Sequence, residues 1–275
     1  MKKLFGYALA VALLASGPAA LAQKTVMTVD IWKEVAPPNS NNTDDNSAEM
    51  DVYFPDKSTN TGRAMLVCPG GGYGGLALHH EGEQFGRFLA ENGITAAVLK
   101  YRMPHGVDQV PLSDAAQAMK LLRKYAQNWG IAPHKIGVMG FSAGGHLAAT
   151  LSTKSKGKSR PDFSVLFYPV ITFTTEATHT GSRDNLTGSN EKLWEYYSAE
   201  KQVTAKTPPA LLFHSSDDGP VPIANSEMYR DALKAKGIDA RLIVYPTGSH
   251  GWGFNSDFQN HGDMKRALLD YILGF

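Results

Sequence analysis

Short apolar segments alternate with amphipathic segments along the chain from residue 48 onward. Met50–Phe54 alternates apolar and polar residues in the manner of an edge strand, whereas Ala64–Cys68 and Ile94–Leu99 are continuously apolar, as buried parallel strands are. The same criteria predict four further strands, at Lys135–Phe141, Phe163–Tyr168, Ala210–His214 and Arg241–Tyr245.

Amphipathic helices are predicted between these strands. One helix presents Phe85, Phe88 and Leu89 on a single face. In a second helix Ser113 is the expected N-cap, because a serine hydroxyl accepts a hydrogen bond from the first backbone N–H groups of a helix. Apolar residues follow it at helical spacing, with a glycine beyond the end: Ala115, Met119, Leu122, Ala126 and then Gly130. Three more helices are expected at Ala143–Leu151, Ile223–Lys236 and Asp263–Leu273.

The first 47 residues have a different character. Lys2 and Lys3 precede an apolar run and then Ala20-Leu21-Ala22, a pattern typical of a secretory signal peptide over residues 1–22, cleaved after Ala22. The apolar part is short for a bilayer span, which disfavours a retained membrane anchor. Residues 23–47 are polar, and we expect an irregular lead-in with one hairpin strand at most. The protein is therefore expected to be secreted or periplasmic.

The alternation of strands and helices predicts the fold class. It is typical of an α/β fold, a mostly parallel central sheet covered by helices on both faces. The pattern is interrupted once, after the sixth strand region, where residues 172–209 lack a strand pattern but contain Trp194, Tyr196 and Tyr197. We expect one domain over residues 48–275, with this short insertion shaping a pocket.

Composition narrows the class of partner. The chain has 275 residues, 43% of them hydrophobic, and its 27 basic and 26 acidic residues nearly cancel. Neither nucleic acid nor, once the signal peptide is cleaved, a membrane is an expected partner on electrostatic grounds. With a single cysteine, Cys68, no internal disulfide can form, and we expect this thiol to be buried. The sequence does not indicate the oligomeric state.

One motif indicates a nucleophile. The strand ending at Phe141 leads into Gly140-Phe141-Ser142-Ala143-Gly144 and then a helix. Small residues around the serine are needed at such a strand-to-helix turn, because larger side chains would collide at the bend. Ser142 is therefore expected at the carboxyl edge of the sheet, where ligands bind in open α/β folds.

The partners of this serine are predicted in two later loops, an acid and then a histidine. His250 is the expected general base and later general acid, in the loop after the strand ending at Tyr245. Asp218 is the expected acid, since it lies just before a turn ending in Val221-Pro222. Asp217 stays open as the alternative, because adjacent side chains on an extended segment point to opposite sides.

The densest glycine cluster, Pro69-Gly70-Gly71-Gly72-Tyr73, follows the strand that ends at Cys68. Backbone N–H groups of Gly70, Gly71 or Gly72, together with that of Ala143, are expected to form an oxyanion hole. A phosphate-binding loop is the rival interpretation. The segment lacks the lysine and hydroxyl residue of a Walker motif, which disfavours that rival.

Other side chains near these loops are candidates for substrate binding. His79 and His80 closely follow the glycine cluster, and Tyr73, Trp252 and Phe254 flank the predicted catalytic loops, where each could stack on a sugar or an aromatic ring. No metal or other cofactor is expected, because no two histidines show the spacing of a zinc-binding helix and cysteine partners are lacking.

Taken together, these motifs resemble a known group. They are similar to those of the α/β-hydrolases of gut and rumen bacteria described as carbohydrate acetyl esterases and feruloyl esterases, often called xylan esterases. The resemblance spans residues 48–275 and rests on these segments: Cys68-Pro69-Gly70-Gly71-Gly72-Tyr73, His80-Glu81-Gly82, Leu99-Lys100-Tyr101-Arg102, Gly140 to His146, Gln202 to Asp218, Val221-Pro222 and Gly248-Ser249-His250-Gly251. Pro69 and Phe141 depart from the hormone-sensitive-lipase pattern, which has a histidine and an acidic residue at those positions.

The resemblance implies a secreted serine esterase that removes acetyl groups, with feruloyl groups as the second candidate, from an acylated oligosaccharide or polysaccharide such as xylan. The residues alone support only a serine hydrolase of acyl compounds. Two alternatives stay open: a peptidase of prolyl-oligopeptidase type, and a non-catalytic carbohydrate-binding protein that retains a relic site. A retaining glycosidase is disfavoured, because Asp217 and Asp218 are adjacent in one loop instead of facing each other.

Overall fold

A computed structural model describes residues 26–43 and 47–275 of the chain. The predicted signal peptide at residues 1–22 lies outside the described residues. Eight strands form one sheet in the order β1-β2-β4-β3-β5-β6-β7-β8, antiparallel between β1, β2 and β4 and parallel from β4 to β8. The strands are β1 Val26–Asp30, β2 Glu49–Tyr53, β3 Arg63–Cys68, β4 Ile94–Lys100, β5 Ile136–Phe141, β6 Ser164–Phe167, β7 Ala210–Ser215 and β8 Ala240–Tyr245.

Seven α-helices accompany the sheet in the described part of the chain. They are α1 Gln84–Glu91, α2 Gln109–Lys124, α3 Ser142–Lys154, α4 Thr180–Thr187, α5 Trp194–Tyr197, α6 Ala224–Ala235 and α7 His261–Leu273. A π-helical turn, His79–Glu83, leads into α1. None of the helices within residues 26–43 and 47–275 is long and apolar enough to cross a membrane.

The central strands β3 to β7 are buried on both faces of the sheet, which explains their continuous apolar sequences. Along β3, Leu66 packs into one hydrophobic cluster with residues of α2, α3 and α6, whereas Met65 and Val67 pack into a second cluster with residues of α1 and α7. Successive side chains of a strand point to opposite faces, so a strand covered on both sides has no polar position to alternate with. The predicted α/β fold with helices on both faces is confirmed.

Two local predictions are wrong. The second helix begins at Gln109, four residues before Ser113, and the Ser113 hydroxyl bonds to the Val110 carbonyl within the helix. Pro111 lies in the first turn, where its missing N–H costs nothing, so the helix continues through it. The strand predicted at Met50–Phe54 is not an edge, because β1 from the lead-in pairs with its outer side.

The insertion after β6 is made of short helical pieces attached to the carboxyl edge of the sheet. Asn225 of α6 accepts hydrogen bonds from the backbone N–H groups of Ile171 and Thr172, where the segment starts. Farther along, the Tyr197 carbonyl lies 2.8 Å from His146 Nε2, and its hydroxyl donates to Asp108. These contacts place the insertion over α3.

Candidate active site

Ser142 lies at a strained turn between β5 and α3. Its φ of +52° is in the left-handed region, and Phe141 before it is extended. A Cβ on Gly140 would lie 2.1 Å from the carbonyl oxygen of Gly144, and one on Gly144 would lie 2.1 Å from that of Cys68. Only glycine fits at either position, because both neighbours are backbone atoms that cannot move aside. The hydroxyl of Ser142 is thereby held at the carboxyl edge of the sheet.

The two predicted partners of Ser142 lie within hydrogen-bond distance in series. His250 Nε2 lies 2.8 Å from Ser142 Oγ, and His250 Nδ1 lies 2.7 Å from Asp218 Oδ2. A carboxylate can only accept, so Nδ1 carries the proton and Nε2 is left to accept from the serine hydroxyl. Asp217 instead accepts from the backbone N–H groups of Ser249 and Gly248 and faces away from the imidazole.

Asp218 is buried and anchored by several donors. Its Oδ1 accepts from the Val221 N–H at 2.9 Å, and its Oδ2 lies 3.3 Å from Nε2 of the buried His214. Burial disfavours the charged carboxyl, but the hydrogen bonds from His214 and His250 outweigh it and hold the pKa of Asp218 below its ordinary value. His214, which also contacts Ser226 and the Val221 carbonyl, therefore orders the loop that holds the acid.

The glycine loop after β3 packs directly against Ser142. A Cβ on Gly70 would lie 3.0 Å from Ser142 Cβ, and Gly71 and Gly72 have φ values of +132° and +65°. The Gly70 N–H donates to Glu81 Oε2 at 2.7 Å, so the prediction that it is free for an oxyanion is wrong. Among the described residues, the N–H groups of Gly71 and Gly72 have no hydrogen-bond partner. Ala143, at the start of α3, has an N–H that its helix cannot satisfy.

Comparison with known proteins places this arrangement in a family. The BD-FAE family profile matches residues 50–233. The chain belongs to the BD-FAE family. The xylan-esterase-like resemblance in the sequence is thereby confirmed, although family membership alone fixes no substrate.

Three relatives illustrate the match. The chain is 38% identical over 238 residues to an acetylxylan esterase of Xylanibacter ruminicola, covering 84% of this chain and 49% of that protein. A crystal structure of an acetyl ester-xyloside bifunctional hydrolase from Caldicellulosiruptor lactoaceticus is 34% identical with a TM-score of 0.82, covering 90% of this chain and 96% of that one. An α/β hydrolase from a deep-sea metagenome is 27% identical with a TM-score of 0.71, covering 92% and 99%. The chain spans about half the length of the curated relatives it matches.

Three aromatic residues predicted to contact substrate are packing residues in this BD-FAE domain. Tyr73 is buried, with its hydroxyl 2.8 Å from His146 Nδ1. Trp252 is also buried, stacks on Phe258 and donates to the Ser215 hydroxyl. Phe254 packs against the aromatic rings of α1, Phe85 and Phe88. Burial removes Tyr73 and Trp252 from substrate contact, so the prediction is wrong for these two residues. Phe254 is only partly buried, and its contact with substrate stays a prediction.

The two histidines after the glycine loop take different positions. The His79 side chain is 74% exposed and lies 3.5 Å from Glu83, on the same helical surface. The His80 side chain is 41% exposed, and its backbone carbonyl accepts from the Phe254 N–H. His80 is thus connected to the histidine loop through its backbone, whereas His79 has no contact with the catalytic residues.

His179 of the insertion lies near the glycine loop, a position that sequence reasoning missed. Its Cε1 is 4.0 Å from the site of a Cβ on Gly72. Its Nδ1 accepts from the Ser182 N–H at the start of α4, which leaves Nε2 protonated as a donor. Burial, and next the positive charge of His250, lower the pKa of His179. Periodicity could not have found it, because the insertion has no regular pattern.

In residues 26–43 and 47–275, no group of three or more histidine, cysteine, aspartate or glutamate side chains is placed to hold a metal ion. The single cysteine, Cys68, is buried at the end of β3, and burial raises the pKa of its thiol well above the ordinary value. Within the described chain, Ser142 is therefore the best-placed nucleophile.

Proposed function

We propose that the protein is a serine carboxylic ester hydrolase that removes acetyl groups from acylated xylan or its oligosaccharides. The observation on which the proposal rests is the hydrogen-bonded series from Ser142 through His250 to Asp218 beside free backbone N–H groups. Similarity to an acetylxylan esterase and to an acetyl ester-xyloside hydrolase supports the substrate class.

The geometry supports the following reaction. His250 Nε2 takes the proton of Ser142 as Oγ attacks the ester carbonyl, and the N–H groups of Gly71, Gly72 and Ala143 donate to the oxyanion. His250 then protonates the departing sugar oxygen, leaving an acetyl group on Ser142. Water activated by His250 attacks this acyl-enzyme, releasing acetate and restoring the serine. Asp218 stabilises the imidazolium that forms in each half-reaction.

An acetyl substrate fits the site better than a feruloyl one. The aromatic residues that would stack on a feruloyl ring, Tyr73, Trp252 and Phe254, are engaged in packing against other side chains. The Nε2–H of His179 lies near the glycine loop and is available to a sugar hydroxyl. We assign His179 to recognition of the carbohydrate.

The decisive experiment compares three substrates with the purified protein: 4-nitrophenyl acetate, acetylated xylo-oligosaccharide and methyl ferulate. Wild type is expected to cleave the first two, and Ser142→Ala to cleave none. Equal rates for wild type and Ser142→Ala would overturn the assignment of the nucleophile. Cleavage of a proline-linked amide alone would favour the peptidase, and binding of xylan without any turnover would favour the relic site.

Export belongs to the same proposal. A secreted or periplasmic enzyme would meet acylated polysaccharide that cannot enter the cell, and residues 1–22 have the pattern of a signal peptide. Expression of the full chain in a bacterial host, followed by N-terminal sequencing of the exported protein, should give Gln23 as the first residue. Recovery of the protein only in the cytoplasm with Met1 intact would contradict it.

A further inference from the structure

Glu81 is a buried acid that the proposed reaction does not use. It is 3% exposed, in the π-helical turn before α1, and each of its carboxylate oxygens accepts one short hydrogen bond. Oε2 accepts from the Gly70 N–H at 2.7 Å, and Oε1 accepts from the Tyr168 hydroxyl at 2.8 Å. A buried carboxylate is retained only where such donors satisfy it, so its position is set by both partners.

These two bonds join the loops on either side of the candidate nucleophile. Gly70 belongs to the glycine loop and lies against Ser142. Tyr168 follows β6, and its hydroxyl oxygen accepts from the Gly253 N–H at 2.9 Å, in the loop that holds His250. The Tyr168 and His250 rings are in edge contact, 4.9 Å apart. One carboxylate is therefore connected to the oxyanion donors on one side and to the general base on the other.

We propose that Glu81 is a positioning residue that holds the glycine loop and the histidine loop in register and places a second negative charge behind His250. The inference rests on the proposed esterase function. Both groups that touch the carboxylate are donors, which favours its ionised form, and burial limits screening of that charge. Burial nevertheless raises the pKa of Glu81, opposed by the bonds from Tyr168 and Gly70.

Other titratable groups lie around Glu81 and His250, and the variants used in the test must leave those groups unchanged. Around Glu81 they are His80, at 3.9 Å from Oε1, and the hydroxyls of Tyr101 and Tyr168. Around His250 they are Asp218 and His179. Variants that change only the Glu81 charge, or only the Tyr168 hydroxyl, leave the rest of this set in place.

Two variants separate the charge from the linkage. Glu81→Gln removes the charge and replaces one acceptor oxygen with an NH₂ donor, so the Gly70 bond can be kept only if the Tyr168 hydroxyl accepts instead of donating. Tyr168→Phe keeps the Glu81 carboxyl and the Gly70 bond, but it removes the donor to Oε1 and releases the Gly253 N–H. Glu83→Gln is the matched control, since Glu83 is in the same helical turn and pairs with the exposed Arg87.

We expect Glu81→Gln to lower kcat on 4-nitrophenyl acetate about tenfold to a hundredfold, below the loss from deleting an oxyanion donor outright, with KM changed less than about threefold. The acid limb of the kcat/KM pH profile should move to lower pH in Glu81→Gln, because the imidazolium loses a stabilising charge. Tyr168→Phe should lower kcat and move that limb no further than Glu81→Gln does, because the carboxyl stays in place and only loses one donor. Glu83→Gln should match wild type in both.

The outcomes are distinguishable. A wild-type protein without esterase activity would refute the proposed function itself. An active wild type with an unchanged kcat and acid limb in Glu81→Gln would refute the role of Glu81 alone. A larger shift of the limb in Tyr168→Phe than in Glu81→Gln would refute the assignment of that shift to the Glu81 charge. If Glu81→Gln fails to fold, judged by its thermal melt, an unchanged kcat in Tyr168→Phe would still overturn the linkage.

Discussion

Replacing Asp218 with asparagine tests the geometry of the site most directly. Asp218 Oδ2 accepts from His250 Nδ1 at 2.7 Å, and an asparagine can present its NH₂ group there. The asparagine NH₂ group and the His250 Nδ1–H would then be two donors facing each other. The imidazole would avoid this repulsion by carrying its proton on Nε2 instead of Nδ1. Nε2 lies 2.8 Å from Ser142 Oγ and could no longer accept the serine proton.

The magnitude follows from the tautomer. Loss of the correct tautomer in a serine–histidine–aspartate triad lowers kcat about 10⁴-fold, equivalent to about 5 kcal/mol of barrier. Asp217→Asn is the control, because Asp217 only supports the loop backbone at Ser249 and Gly248 and an amide oxygen can still accept one of those bonds. We expect the kcat of Asp217→Asn to lie within about tenfold of the wild-type value, which corresponds to a change of at most about 1.4 kcal/mol in the activation barrier.

Initial rates with 4-nitrophenyl acetate at pH 7 are sufficient to measure both losses. Thermal melts of both variants should first establish that they fold. The reasoning fails if Asp218→Asn keeps more than about a tenth of the wild-type kcat, which would be equivalent to less than 1.4 kcal/mol. It fails equally if Asp217→Asn loses as much as Asp218→Asn.

Three further predictions concern packing, recognition and pH. Gly144→Ala places a Cβ within 2.3 Å of the carbonyl oxygens of Cys68 and Pro69, so urea denaturation should show a loss of about 3 kcal/mol; a loss near zero would contradict the packing. His179→Ala should raise KM for acetylated xylo-oligosaccharide about fivefold, which corresponds to the free energy of about one lost hydrogen bond. The KM for 4-nitrophenyl acetate, which has no sugar, should rise less. Equal increases for both substrates would argue against sugar recognition by His179. Burial lowers the pKa of His146 to about 4, so the unfolded chain takes up a proton first as the pH falls below 6.5, and stability measured in urea should drop by about 2 kcal/mol between pH 7 and pH 5. A His146→Gln variant should lack that part of the slope.

Sequence periodicity correctly predicted the strands and helices that bury apolar surface. It failed where the local backbone geometry determines the end of an element. The strands from Ala64–Cys68 onward lie within a residue of their predicted positions, because a strand covered on both faces leaves a continuous apolar run. The start of α2 was wrong because a proline in the first turn permits an earlier beginning than Ser113 suggests.

For the site, motif order was sufficient to bring together Ser142, Asp218 and His250, since the carboxyl ends of parallel strands share one edge. The roles of single groups were harder to predict. The Gly70 N–H is taken by Glu81, eleven residues away, and no spacing rule connects them. Tyr73 and Trp252 are buried because loops at this edge need their own apolar anchors, which the sequence does not distinguish from exposed rings.

The attachment of the insertion has a consequence for how this protein could change its substrate. The contact between the glycine loop and α3 tolerates no larger residue, since a side chain on Gly70 or Gly144 would collide with backbone atoms. The part of the site that carries out acyl transfer is therefore constant. The insertion is held more firmly than a surface loop, because Phe173, Leu186, Tyr197 and Ala199 are buried in the hydrophobic core and Asn185 donates to the Gly72 carbonyl of the glycine loop. Natural variation and laboratory evolution can therefore alter which sugar is accepted by changing the exposed residues within 172–209, while the buried residues of that segment and the hydrolytic machinery beneath stay the same.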